Sequence, residues 1–214
     1  MKIQVLYDND SLPGFKSGWG FSCYLPELKL LFDTGWDPRR LLHNMNKFEI
    51  STTDIEKVFL SHSHWDHTGG LPAILEPHME VIVPASFSEH MKEEIKKAAS
   101  LLEINQKQQI EPGIHTSGEL GRKVKEQALA VETEKGLLVI TGCAHPGVGK
   151  ILKTFEPAGK IGALVGGLHG FNNYPLLKNM QLIAATHCTK HKDEIAQKYP
   201  DKFKSCRAGD QIFF

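Results

Sequence analysis

The chain has 214 residues, 41% of them hydrophobic, enough apolar surface for one well-filled domain spanning 1–214 and built as two similar halves. Lys plus Arg number 25 and Asp plus Glu 25, so the formal net charge is zero, and the basic excess on which a nucleic-acid binder relies is missing. No apolar run approaches the roughly 18–20 residues of a membrane-spanning helix.

In chain order, residues 2–7 alternate like a strand and lack the apolar centre of a signal peptide. Phe21–Leu25 and Lys29–Phe32 form a hairpin pattern across Pro26-Glu27, and the second run ends in Asp33-Thr34-Gly35. Asp37-Pro38 supplies the cap and first-turn proline of a helix reaching about Asn46. Ser51–Asp54 is a short turn before the buried strand Val58–Leu60, which leads into His62-Ser63-His64-Trp65-Asp66-His67. Gly69, Gly70 and Pro72 then mark a loop entering a short helix. Val81–Val83 is a strand, and Ser86 to about Ala99 a helix whose Lys92, Lys96 and Lys97 read as a solvated face. From Ser100 to Ile140 the pattern is strand-like, clearest in Ala128–Glu132 and Leu137–Ile140 around the turn Thr133–Gly136. Helices follow over Val148–Phe155 and Lys190–Lys198, and strands over Ile161–Val165 and Leu182–Ala185.

Four strands, ending at Leu60, Ile140, Val165 and Ala185, each feed a loop with a histidine: His62, His145, His169 and His187. Strand ends are where α/β folds place ligands, and the class is therefore α/β, with two sheets packed together and helices outside. In an extended segment alternate side chains share a side, so His62, His64 and Asp66 face together, while His67 needs the Thr68-Gly69-Gly70 turn. That pattern suits two metals side by side, with His62 and His64 on one and Asp66 and His67 on the other. Imidazole and carboxylate favour Zn²⁺, Fe or Mn²⁺ over Cu(I).

His62-x-His64-x-Asp66-His67 after a hydrophobic strand resembles the signature of the metallo-β-lactamase superfamily, and Leu31-Phe32-Asp33-Thr34-Gly35 resembles the turn that precedes it there. Four further stretches resemble one branch in combination: His64 to Leu71, Gly142-Cys143-Ala144-His145-Pro146-Gly147, Gly166-Gly167-Leu168-His169 and Thr186-His187-Cys188-Thr189. That branch holds dihydropterin–ribofuranosylaminobenzene phosphate synthases and many uncharacterised hydrolases. The resemblance runs from Val5 to Ala208-Gly209-Asp210-Gln211-Ile212.

The resemblance implies an αββα four-layer sandwich with the metals at one edge between two mixed sheets. It gives His145 as third ligand of the first metal and His187 of the second, both ions Zn²⁺. The activity it implies is that of a hydrolase whose metal-activated hydroxide acts on a phosphodiester or other phosphorylated small molecule. Asp66 would hold the second metal and orient the hydroxide; His169 would bind substrate or protonate the leaving group; Asp33 would accept a bond from a ligand His or a Thr. Many members carry an Asp just after the strand that here ends in Thr141-Gly142. This chain has Cys143 instead, readable equally as a metal-binding thiolate or a buried inert thiol. His115 reads as structural, and His43, His78, His90 and His191 receive no role. Two other activities fit the pattern: a transferase joining a dihydropterin pyrophosphate to a ribofuranosylaminobenzene phosphate, and a metal-binding sensor without turnover. The expected substrate is a small anionic molecule. No membrane partner is expected, and a homo-oligomer is compatible with the sequence. The scattered Cys23, Cys143, Cys188 and Cys206 are expected to be reduced thiols in the cytoplasm.

Overall fold

The apolar runs become strands in the computed structural model, which describes residues 1–214. The chain divides into two units, one of Met1–Asn105 with Arg207–Phe213 and one of Gln106–Cys206 with Phe214. Each unit owns one seven-stranded mixed sheet.

The first unit contains β1 (Lys2–Tyr7), β2 (Ser22–Leu25), β3 (Leu30–Phe32), α1 (Pro38–Lys47), β4 (Lys57–Phe59), α2 (Trp65–Thr68), β5 (Glu80–Pro84), α3 (Glu89–Ala98) and β6 (Ser100–Ile104). Its remaining strand lies at the far end of the chain and is numbered last, as β14 (Gln211–Phe213). The order across the sheet is β14-β1-β2-β3-β4-β5-β6. The hairpins pair antiparallel, and β3 to β6 run parallel. Asp37 caps α1 by accepting from Arg39 N at 2.9 Å, with Pro38 in the first turn where its missing N–H costs nothing. Leu41 and Met45, four residues apart, put one stripe of α1 into a core with Leu6, Leu31, Val58, Val81 and Ile95. Ser88 caps α3, its side chain accepting from Met91 N at 3.3 Å, so the helix starts later than the expected Ser86.

The second unit contains β7 (Gln106–Glu111), β8 (Ile114–Gly118), β9 (Leu129–Thr133), β10 (Gly136–Thr141), α4 (Val148–Phe155), β11 (Ile161–Gly167), β12 (Leu182–Thr186), α5 (Lys192–Lys198) and β13 (Phe203–Ser205). The order is β13-β12-β11-β10-β9-β8-β7, antiparallel from β7 to β10 and parallel from β10 to β13. The central parallel strands are apolar along their length, as strands covered on both faces must be. Val148, Ile151, Leu152 and Phe155 of α4 and Ile195 of α5 pack with Val139, Leu164 and Ile183. No helix is long and apolar enough to cross a membrane.

Candidate metal centre

In the first unit the donors follow β4. After β4 the backbone bends at Ser63 and coils from His64 onward: His67 N donates to His64 O at 3.0 Å and Gly69 N to Trp65 O at 2.8 Å, which makes Trp65–Thr68 a helical turn. His62 and His64 come together across that bend and Asp66 lies within the helical turn, contrary to the expectation of three side chains on one extended face. The coil carries His67 round to Asp33 instead.

Asp33 is fully buried, sits at φ 50 and accepts three hydrogen bonds: His67 Nδ1 at 2.6 Å, Ser61 Oγ at 2.7 Å and Ser61 N at 2.7 Å. The neighbouring Thr34 holds the backbone of the same histidine, its N and Oγ1 both donating to His67 O. An ionised carboxylate only accepts, so His67 Nδ1 carries the proton and its Nε2 keeps a lone pair. Ser61 has one hydroxyl proton, and its Oγ donates it in a hydrogen bond to Asp33. Ser61 Oγ must then accept from His62 Nδ1, 2.9 Å away, which leaves the lone pair of His62 on Nε2. One buried carboxylate thus sets two imidazoles as neutral donors. His62 Nε2 and His64 Nδ1 stand 3.0 Å apart, close to the roughly 3.3 Å edge of a tetrahedron with bonds of about 2.05 Å. His67 Nε2 lies 3.9 Å from Asp66 Oδ2. The donor set fits a divalent ion.

In the second unit, β10 delivers Cys143 and His145, β11 delivers His169, and β12 delivers His187 with Cys188. The segment after β10 is not extended: Ala144 has φ 56, so Cys143 and His145 are not related by simple alternation. Its shape comes from Glu126, 1% exposed, whose carboxylate accepts backbone N–H from Cys143 at 3.0 Å, Ala144 at 2.8 Å and His145 at 2.8 Å. Three successive amides converging on one anion make a nest, here filled by the protein's own side chain. Glu126 escaped the sequence reading because nothing local marks an acid for a loop 17 residues on. Cys143, His187 and Cys188 place one ligand atom each within 4.8 Å of one another. His169 is exposed at φ 49, its ring 5.2 Å from that of His145. A cavity of about 310 Å³ is lined by His145, Gly147, Val148, His169, Gly170 and Asn172, with the N-terminus of α4 in its wall.

Residues 29–158 match the family described as the beta-lactamase superfamily domain. The chain belongs to that superfamily. Among curated relatives, the 7,8-dihydropterin-6-methyl-4-(β-D-ribofuranosyl)-aminobenzene-5'-phosphate synthase of Methanocaldococcus jannaschii is 28% identical, over 87% of this chain and 84% of its own. A solved metal-dependent hydrolase of the β-lactamase superfamily is 26% identical, covers 100% of this chain and 99% of its own, and superposes with a TM-score of 0.86. The metallo-β-lactamase-fold protein YhfI of Bacillus subtilis gives a TM-score of 0.70 at 13% identity, over 99% of this chain and 98% of its own. The fold is therefore the α/β metallo-β-lactamase fold, and the branch the sequence resembles is the one its relatives occupy.

Four of the superfamily member's other histidines have hydrogen-bond partners elsewhere. His115, in β8, bonds Glu132 at 2.7 Å, His43 meets Gly14 O at 2.9 Å, His78 meets Ile55 O at 3.0 Å and His191 meets Glu194 at 3.0 Å.

Proposed function

We propose that this protein is a metal-dependent hydrolase acting on a phosphodiester or other phosphorylated small molecule. The observation that carries the reading is the Asp33–Ser61–His62 and Asp33–His67 proton arrangement, which presents lone pairs where a hydrogen-bonded structural histidine would present a proton. His62, His64 and His145 hold one ion, and Asp66, His67 and His187 the second; both are Zn²⁺, with Fe or Mn²⁺ as the other metals this donor chemistry accepts. When bound, such ions lower the pKa of water toward neutrality and polarise a substrate oxygen.

The chain's own residues supply the rest. The positive end of α4 and the backbone of Gly147 in the cavity wall favour an anionic group, as expected for a phosphorylated substrate. His169 stands on that wall, accessible to solvent, and hands a proton to the leaving group. Asp66 orients the water nucleophile. None of the four cysteines is in a disulfide, in keeping with a reducing cytoplasmic location.

The test is metal analysis combined with turnover. Purified protein should hold one to two equivalents of Zn, Fe or Mn, lost in His62→Ala and Asp66→Asn, and should cleave chromogenic aryl phosphodiesters. Metal without turnover on phosphodiesters, thioesters and lactones would overturn the hydrolase reading. A second reading, from the sequence resemblance, is a transferase joining a dihydropterin pyrophosphate to a ribofuranosylaminobenzene phosphate, and the Methanocaldococcus jannaschii relative is named as a synthase of a compound of that kind. Pyrophosphate release that requires both partners would select it.

A further inference from the structure

β10, β11 and β12 run parallel and adjacent, and the outer two lead into Cys143 and into His187-Cys188. The strand between them ends in Gly166-Gly167, so no side chain separates the two loops at that level. A Cβ on Gly167 would stand 2.7 Å from Cys188 Sγ and 3.2 Å from Cys143 Cα. Glycine at 167 is what lets the two cysteine loops approach. The outcome is two sulfurs and an imidazole nitrogen, all within 4.8 Å, with Cys143 and His187 buried and Cys188 half-buried.

Both loops are held. Glu126 anchors the Cys143 amide, and Thr189 anchors the other turn, its Oγ1 donating to Thr186 O at 2.8 Å and accepting from Leu168 N at 2.9 Å. Each loop passes through a non-glycine residue at positive φ, Ala144 at 56 and His187 at 42, a conformation that persists only where surrounding contacts enforce it.

We infer that Cys143 and Cys188 are thiolate ligands of the ion held by His187, which makes this position selective for a soft, thiophilic divalent cation such as Zn²⁺, Co²⁺ or Cd²⁺. The inference rests on the reading of His187 as a metal ligand. Zn–S bonds of about 2.3 Å and Zn–N bonds of about 2.0–2.1 Å put neighbouring donors on one ion under about 4 Å apart, and the three ligand atoms here lie within 4.8 Å of one another. Each thiol releases one proton to solvent on binding, and the resulting thiolates disfavour a hard cation such as Mg²⁺, which a carboxylate at 143 would accept.

Cobalt-substituted full-length protein tests this, read by absorbance rather than turnover. A near-ultraviolet sulfur-to-cobalt charge-transfer band is expected, weakened in Cys143→Ser and in Cys188→Ser and absent from the double variant. Cobalt bound with visible ligand-field bands but no charge-transfer band overturns the thiolate assignment while leaving the metal centre standing. Wild-type protein that takes up no cobalt sinks both. A band unchanged in Cys188→Ser removes that residue. Thiol alkylation of the wild-type chain under reductant, mapped by peptide mass, serves without any variant. Zinc should slow labelling of Cys143 and Cys188 and not of Cys23 and Cys206; equal rates with and without zinc overturn the proposal.

Discussion

Replacing Asp33 by Asn changes one atom and reverses the proton logic of the metal centre. The side chain is fully buried and accepts from two donors at Oδ2, His67 Nδ1 at 2.6 Å and Ser61 Oγ at 2.7 Å. An amide nitrogen at that position donates instead. His67 must then release the proton from Nδ1, and its neutral form carries the proton on Nε2, the atom needed for the metal. Ser61 becomes free to donate to His62 Nδ1, which shifts that ring the same way. Oδ1 keeps its bond from Ser61 N, so the fold has an acceptor there still. Removing an outer partner of this kind lowers metal affinity by about 10–100-fold, equivalent to roughly 1.4–2.7 kcal/mol. Because two ligands are affected, the larger end is expected. Competition with a chromophoric chelator at neutral pH measures it, with far-ultraviolet circular dichroism as the check on folding. Ser61→Ala, which touches only the His62 arm, should show the smaller loss. Equal metal affinity in wild type and Asp33→Asn would refute the tautomer argument.

Three further outcomes are expected. Burial, aided by the charges of Asp54 and Glu56, pushes the Tyr24 hydroxyl from 10.0 up to about 12, and it donates to Asp54 O at 2.7 Å. A raised folded-state value means the contribution is intact below pH 10 and is lost between about 10 and 12, amounting to about 2–3 kcal/mol. Urea unfolding from pH 9 upward should show that decline in wild type and a shallower one in Tyr24→Phe. Gly166 has φ 121, and an added Cβ would strike the carbonyl oxygen of Thr141; Gly166→Ala should cost about 3 kcal/mol or prevent folding, read by thermal melts. Glu126→Ala leaves two buried amides and one half-buried amide without their acceptor, at about 1–3 kcal/mol for each buried one, whereas Glu126→Gln keeps a carbonyl oxygen and should lose less; a Glu126→Ala chain as stable as wild type would refute the clamp.

How much of this the sequence carries depends on the range of the interaction. The strands β4, β10, β11 and β12 were readable because an apolar run followed by a glycine or histidine is a local signal, and α4 falls on Val148–Phe155 as its periodicity predicts. The closeness of His62 and His64 was readable from their spacing, although a bend at Ser63 rather than strand alternation brings the rings together. The expected shared face of Asp66 with His62 and His64 failed because a period of two was carried into a segment that coils, with Gly69 N donating to Trp65 O. Glu126 and Cys188 lie beyond local patterns altogether. Glu126 acts across 17 residues through the antiparallel strands β9 and β10, and an acid before an apolar strand is unremarkable in isolation. Cys188 meets Cys143 only because β11 is interposed between β10 and β12 and ends in glycine. The glycine pair was visible as a place where backbone must come close to something; strand order decides that one neighbour is a sulfur atom. A sheet therefore hides its chemistry in the order of its strands, and a donor contributed by a non-adjacent strand becomes legible only when that order is known.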